Sequence, residues 1–462
     1  PSVIFAYTIK GWNLPIAGDP LNHSALLTSE QMDTLRDQLG IPADDLWTTF
    51  PEDSEESRVC REAGLTVVRA ARPRQSVDPV PDDLGREYGA VTSTQGAFGQ
   101  ILTTLLRVSP NVARRVVTVS PDVAISTNLG GWINRVGVWH PTDDQDPFTM
   151  LGPRLIQWNR KPQGQHIELG ISETNLLMAL GQLGLAGETT GQPLLAIGTL
   201  YDPFVARALD AFVYGIYSGS RFVLVGTPSG VTLAPEGGAH QSIVTPLIGE
   251  ALPGVLYHEP CFALELEWLL LEALRALHGA DGGRATYFRL STAVVDQALL
   301  PVTDREQLRR KVLSGAYRLV DRTGDPGCEP GRNTVEIWAT GVMVPEAVRA
   351  SEELLQDGIY ANVVNCVSPG LVYRTWQDAT HESLKRLRPA PLQMPVSGPV
   401  VTVIDAHPAA LAWVGSMLGR KAYPLGVVRF GESGLPADLY QACKIDWESI
   451  YAACCVALKE AQ

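Results

Sequence analysis

A length of 462 residues exceeds what one hydrophobic core serves, so two or three domains are expected. With 45% hydrophobic and 19% charged residues, the composition is that of a globular chain able to bury substantial cores. A formal charge of −13 with no cluster of Lys and Arg argues against a nucleic-acid partner, and no uninterrupted apolar run is long enough to span a membrane.

The chain opens on PSVIFAYTIKG, an apolar run of the buried-strand type that carries Lys10. A strand needs neighbours, so this beginning predicts the C-terminal portion of a longer polypeptide, or one subunit of a split enzyme. A Gly-, Pro- and Asn-rich loop with His23 follows, then TSEQMDTLRDQLG, where Thr28 and Gln31 have capping-box spacing and Gly40 closes a short helix. Residues 41–92, with PEDSEES and VDPVPDD, show little periodicity and read as an exposed linker.

From residue 93 helices alternate with short continuous apolar strands. AFGQILTTLLRV is a predicted helix, RRVVTVS and HIELG are strands, and PLLAIGTL and RFVLVGT are further strands. FALELEWLLLEALRAL at 262–277 carries Glu265, Glu267, Glu272 and Arg275 and reads as a packed helix. This pattern predicts parallel strands covered on both faces, an α/β layer running to about residue 320. A second α/β unit over 321–462 is built from NTVEIWATG, the helix PEAVRASEELLQDG, the strands YANVVNCV and PVVTVIDAH, and terminal helices in DLYQACKIDWESIYAACCVAL. HESLKRLRPAPLQMPVSG reads as a loop between them, while GTPSG at 226–230 and GADGG at 279–283 read as plain turns. The expected layout is therefore 1–40, 41–92, 93–320 and 321–462.

Seven scattered cysteines without metal-ligand spacing point to free thiols in a reducing cytoplasm. No GxxxxGK[ST], HExxH or GxSxG with triad partners is present. The remaining polar candidates stand at strand ends, where open α/β sheets place ligands. These are Asp122 in SPDVAIS, Glu173 in GISETN, Tyr201 and Phe204 in LYDPF, and Glu236 with His240 in APEGGAHQS. Taken singly, Glu173 reads first as an acid favoured by a helix N-terminus, and the aromatic pair reads first as core.

Together and in this order, GISETNLLMALGQLGLAG, YDPF before an Ala/Arg-rich helix, and EGGAHQS resemble the pyrimidine-binding domain of thiamine diphosphate enzymes of the transketolase and 2-oxo-acid dehydrogenase superfamily. YTIKGWN with His23 resembles the end of that family's diphosphate-binding domain and its mobile loop. FGESGLPADLYQACKIDWESIYAACCVAL resembles the last segment of homodimeric pyruvate dehydrogenases. The resemblance implies two doubly wound α/β domains, pyrimidine-binding and transketolase C-terminal, preceded by the tail of a third. It implies that Glu173 holds the cofactor's aminopyrimidine, with Tyr201, Phe204 and Asp122 beside it. His240 and His23 would move protons, and Glu236, His240 and Lys10 would face substrate.

The chemistry suits these residues. Thiamine diphosphate reacts through a thiazolium carbanion that its own imino group generates, and a carboxylate in apolar surroundings drives the needed tautomer. The family's GDG-and-Asn site for Mg²⁺ is missing from this sequence, so cofactor binding is expected to need an absent N-terminal segment or a companion subunit. The implied activity is oxidative decarboxylation of a 2-oxo acid with acyl transfer to a lipoyl acyltransferase, in a homodimer. HQSIVTPLIG lacks the additional histidines of the pyruvate enzymes, which leaves a different 2-oxo acid open. A transketolase is the alternative, with Arg289 a possible phosphate contact; a non-catalytic subunit of the same fold is the other.

Overall fold

The computed structural model describes residues 3–67, 75–143, 156–278, 283–386 and 396–461. The chain divides into two compact units, Pro1–Arg72 and Pro73–Gln462. No helix among the described residues is long and apolar enough to cross a membrane.

In the first unit the helix Ser29–Gln38 carries the expected capping box, the Thr28 N–H donating to Gln31 Oε1 at 2.9 Å while Thr28 Oγ1 accepts the Gln31 N–H at 3.2 Å. Two expectations are corrected here. The run at 3–9 forms no strand: Ile4, Phe5 and Tyr7 are exposed, because an extended apolar segment gains nothing without a sheet beside it. A helix, Glu55–Val67, lies inside the stretch expected to be linker. Its last part, residues 75–92, belongs to the second unit: the Leu84 N–H and the Tyr88 hydroxyl donate to Glu267, and Trp268 Nε1 donates to Asp83. Asp82 and Asp83 thus partner Arg275 and Trp268 of the long helix Ala263–Ala276, and its own Glu267 accepts from the stretch in return.

The second unit holds an all-parallel sheet of eight strands in the order Arg160–Lys161, Val138–Trp139, His166–Glu168, Val116–Ser120, Leu195–Leu200, Val223–Gly226, Ala285–Arg289, Val255–His258. Period-two alternation sends Leu195, Ile197, Val223 and Val225 into the core beneath the helices Thr94–Val108 and Ala263–Ala276. Ala196, Leu200 and Leu224 pack on the opposite face with Leu176, Leu177, Leu180 and Phe212. Burial on both faces is why these strands read as continuous apolar runs.

A second sheet has the order Tyr317–Val320, Tyr360–Asn365, Thr334–Ala339, Val400–Val403, Ala422–Leu425, parallel except for its antiparallel first strand. That strand moves the domain border: residues 317–320 belong to the second sheet, not to the first domain. HESLKR does not form a loop but continues the helix Pro369–Arg386, since no breaker occurs before Pro389. Most of GADGG lies outside the described residues.

Candidate active site

Glu173 is the first residue of the helix Glu173–Leu183 and is 6% exposed, above the buried Leu176, Leu177 and Leu180. Its surroundings are not wholly apolar, which corrects the expectation. Arg207 Nη1 donates to Glu173 Oε1 at 2.9 Å, and the same guanidinium lies 4.1 Å from the centroid of the Phe204 ring. Arg207 is half-exposed and closes a turn, Asp202–Ala208, that starts directly after Tyr201. The spacing Phe204–Arg207 was a usable signal, because residues three apart in a tight helical turn share a face.

Across that turn the Tyr201 and Phe204 rings lie within 6° of parallel, with centroids 6.2 Å apart. The His240 imidazole meets both edge-on, its centroid 5.8 Å from Tyr201 and 5.7 Å from Phe204. Its Nδ1 is buried and has no hydrogen-bond partner among the described residues. Four of the residues expected from sequence therefore converge: Glu173 through Arg207, then Phe204, Tyr201 and His240. What they form is an acid, a flat apolar face and an imidazole with an open position.

Beneath them is an ionic network that sequence reasoning missed. Asp202, fully buried, accepts hydrogen bonds from Thr245 Oγ1 at 2.6 Å, from Arg289 Nε at 3.0 Å and from the Tyr287 hydroxyl. Arg289 also donates to Glu259 Oε1 at 2.7 Å, to the Asp405 carbonyl at 2.7 Å and to Ser242 Oγ at 3.2 Å. Burial opposes the Arg289 charge, yet the Glu259 and Asp202 carboxylates hold its pKa well above the usual arginine value. Burial pushes the Glu259 and Asp405 carboxyls up, with Arg289 pulling against it. At 1% exposure and ion-paired twice, Arg289 is not available to a sugar phosphate, which corrects that suggestion.

The loop bearing His240 is held from both domains. Ser242 Oγ accepts the Gly230 N–H at 3.0 Å, and Gln241 Nε2 donates to the Glu432 carbonyl at 2.9 Å. The Asp405 carboxylate accepts the N–H groups of Val231 and Thr232 at 2.9 and 3.1 Å and the Thr232 hydroxyl at 2.5 Å. Asp405 was discoverable as the acid in VIDAH at the end of a parallel strand. A cavity of about 560 Å³ adjoins the loop, lined by Pro203, Ala239, Ser242 and Phe430.

Asp122 and Glu236 share no hydrogen bond with this cluster among the described residues. Asp122, exposed and with φ +67°, donates its N–H to Glu168 Oε1 at 2.7 Å, in the segment before Glu173. Glu236 is exposed on its turn. Lys10 and His23, in the first unit, approach each other at 3.4 Å from Nζ to Nδ1. Among the described residues no group of three or more His, Cys, Asp or Glu is placed to hold a metal.

Residues 80–295 match the family described as pyruvate dehydrogenase E1 component middle domain, and 315–446 match the transketolase-like C-terminal domain. The pyruvate dehydrogenase E1 component of Cupriavidus necator is 25% identical over 98% of this chain and 53% of its own length. The chain thus spans about half the length of the curated relatives it matches. Among solved structures, the transketolase of Leishmania mexicana superposes with a TM-score of 0.69 at 19% identity, over 98% of this chain and 61% of its own. A split-gene transketolase described as an inactive beta4 tetramer gives 0.52 at 19% identity, over 80% of this chain and 99% of its own.

Proposed function

This chain is built from the pyruvate dehydrogenase E1 middle domain and the transketolase-like C-terminal domain, and on that premise we propose that it supplies the pyrimidine-binding half of a thiamine diphosphate-dependent 2-oxo-acid decarboxylase. The substrate in this reading is pyruvate or a close relative. The observation that carries it is the convergence of Glu173, the parallel Tyr201 and Phe204 rings, and a His240 whose buried Nδ1 has no partner among the described residues.

The residues fit an aminopyrimidine. Tyr201 and Phe204 offer a flat apolar flank, and Glu173 offers a buried carboxylate. Bound thiamine diphosphate supplies the carbanion chemistry that decarboxylation needs. Arg207 occupies Glu173 Oε1, which leaves Oε2 to hold the proton shared with the ring nitrogen. His240, braced edge-on by both rings, is the imidazole that moves a proton on the substrate side. Asp202 and Arg289 touch neither ligand in this reading; they fix the aromatic turn and the His240 loop relative to each other, which makes them positioning residues.

The diphosphate end and its Mg²⁺ belong, in this reading, to a segment or subunit outside residues 1–462. Similarity to one subunit of a split-gene transketolase supports that division. Transfer of the acyl group to a lipoyl acyltransferase, with His23 acting beside Lys10, completes the reaction proposed for a homodimer. Burial of Arg289 withdraws the phosphate contact suggested for the transketolase alternative. The open His240 nitrogen disfavours a non-catalytic subunit.

Substitution of Glu173 by Gln tests the mechanism. In the protein supplemented with its diphosphate-binding half, pyruvate-dependent reduction of an artificial electron acceptor should fall by about 10²–10⁴-fold with the fold retained. Undiminished turnover would reject the role given to this carboxylate.

A further inference from the structure

A cavity of about 320 Å³ lies on the far edge of the large sheet, between the helix Ala263–Ala276 and the second sheet's domain. Its floor is formed by His258 and Thr286, residues of the two outermost strands, which are paired in parallel. Both are polar and more than nine-tenths buried, at 5% and 1% exposure. The Thr286 hydroxyl has no hydrogen-bond partner among the described residues. His258 Nδ1 lies 2.6 Å from Ser368 Oγ, and no bond to its Nε2 occurs among the described residues.

The buried Thr286 hydroxyl, unpaired among the described residues at the base of a cavity, is costly to bury dry. Burial, reinforced by the Arg374 charge, lowers the His258 pKa to about 3, so the ring is neutral and its Nε2 can pair with a hydroxyl or carbonyl. The walls are apolar, with Ala273 and Leu371 facing the space. Arg284, exposed, forms the cationic side of the mouth, and its charge reaches Arg374, whose pKa is lowered by burial and then by Arg284. Glu272 also lines the cavity, but its carboxylate is engaged by Arg275. The size is at the small end of ligand pockets, roughly 300–1,000 Å³.

We propose that this cavity is a second ligand site, distinct from the Glu173–His240 cluster, for a small carboxylic acid whose apolar body carries one hydroxyl or carbonyl. The carboxylate pairs with Arg284, the body lies against Ala273 and Leu371, and the polar group meets Thr286 and His258. No covalent step is involved.

Binding of 4-hydroxyphenylacetate to the 462-residue chain, followed by calorimetry and ligand-observed NMR, tests the assignment. Phenylacetate removes the hydroxyl, and tyramine replaces the anion with a cation. The expected order is 4-hydroxyphenylacetate tightest, phenylacetate weaker, tyramine without saturable binding. Arg284→Gln, a surface change that leaves the core intact, should weaken 4-hydroxyphenylacetate by about ten-fold. Thr286→Val should abolish the advantage over phenylacetate, and Ala273→Trp, which fills the space, should abolish binding. Absence of saturable binding, tyramine binding as tightly as the acids, or affinity indifferent to Arg284→Gln and Ala273→Trp would each overturn the site.

Discussion

Arg289 joins more of the second unit than any motif residue does, and its removal is the most damaging single change expected at the residue scale. Arg289→Met strands the Asp202 and Glu259 carboxylates in the core, and breaking one partner of a buried ion pair costs about 3–5 kcal/mol. Urea unfolding of the variant should show that loss, and a change below about 1 kcal/mol would refute the keystone role. Glu265 gives a pH-dependent counterpart. It accepts the Cys261 and Phe262 N–H groups, the Tyr317 hydroxyl and Asn365 Nδ2, yet burial outweighs these donors and pushes its pKa up to about 7. An acid raised on folding contributes stability that is complete below its unfolded value and is lost as pH rises through its folded one. Stability should therefore decline between about pH 4.5 and 7 through this group, by at most about 3 kcal/mol. In Glu265→Gln that part of the slope should vanish from a series of melts, and an unchanged slope would assign it elsewhere.

At the scale of elements, the loop that carries His240 depends on close approaches that only glycine permits. Gly230 has φ +70°, and a Cβ there would stand 2.0 Å from Asp405 Oδ2. Gly230→Ala should cost about 1–3 kcal/mol and loosen the contact between Asp405 and residues 231–232. Weakened protection of the Val231 and Thr232 amides in hydrogen exchange is the check, and native protection would show the clamp tolerates the change. Most elements were legible because their signals are local. The Thr28–Gln31 box, Gly358 after its helix and the apolar strand at 195–200 all announce themselves within a few residues. The strands Val255–His258 and Ala285–Arg289 were not read, because His258, Thr286 and Arg289 interrupt the apolar pattern. PSVIFAYTIKG failed in the other direction, since an apolar run specifies a strand only where a sheet accepts it. In the candidate site, Glu173, Tyr201, Phe204 and His240 were legible from motif order. Arg207 reaching Glu173 and Asp405 reaching Val231 depend on tertiary contacts that no spacing encodes.

For the molecule as a whole, the proposed division of labour predicts how cofactor is captured. The 462-residue chain alone should show no tight calorimetric signal with thiamine diphosphate and Mg²⁺, and one should emerge when a diphosphate-binding domain is supplied. Tight binding to the chain alone would overturn the division. The two matched families meet near residues 295–315, which invites treating them as interchangeable cassettes. Asp405 argues otherwise. It lies in the second family's stretch, yet its carboxylate holds the N–H groups of Val231 and Thr232, and its carbonyl receives Arg289. A chimaera recombined at that border would inherit an arginine and two backbone donors tuned to a partner from another parent. Productive crossovers should be those that transplant residues 228–242, 289 and 405 as one set, so the heritable module of this protein is a contact network and not a sequence interval.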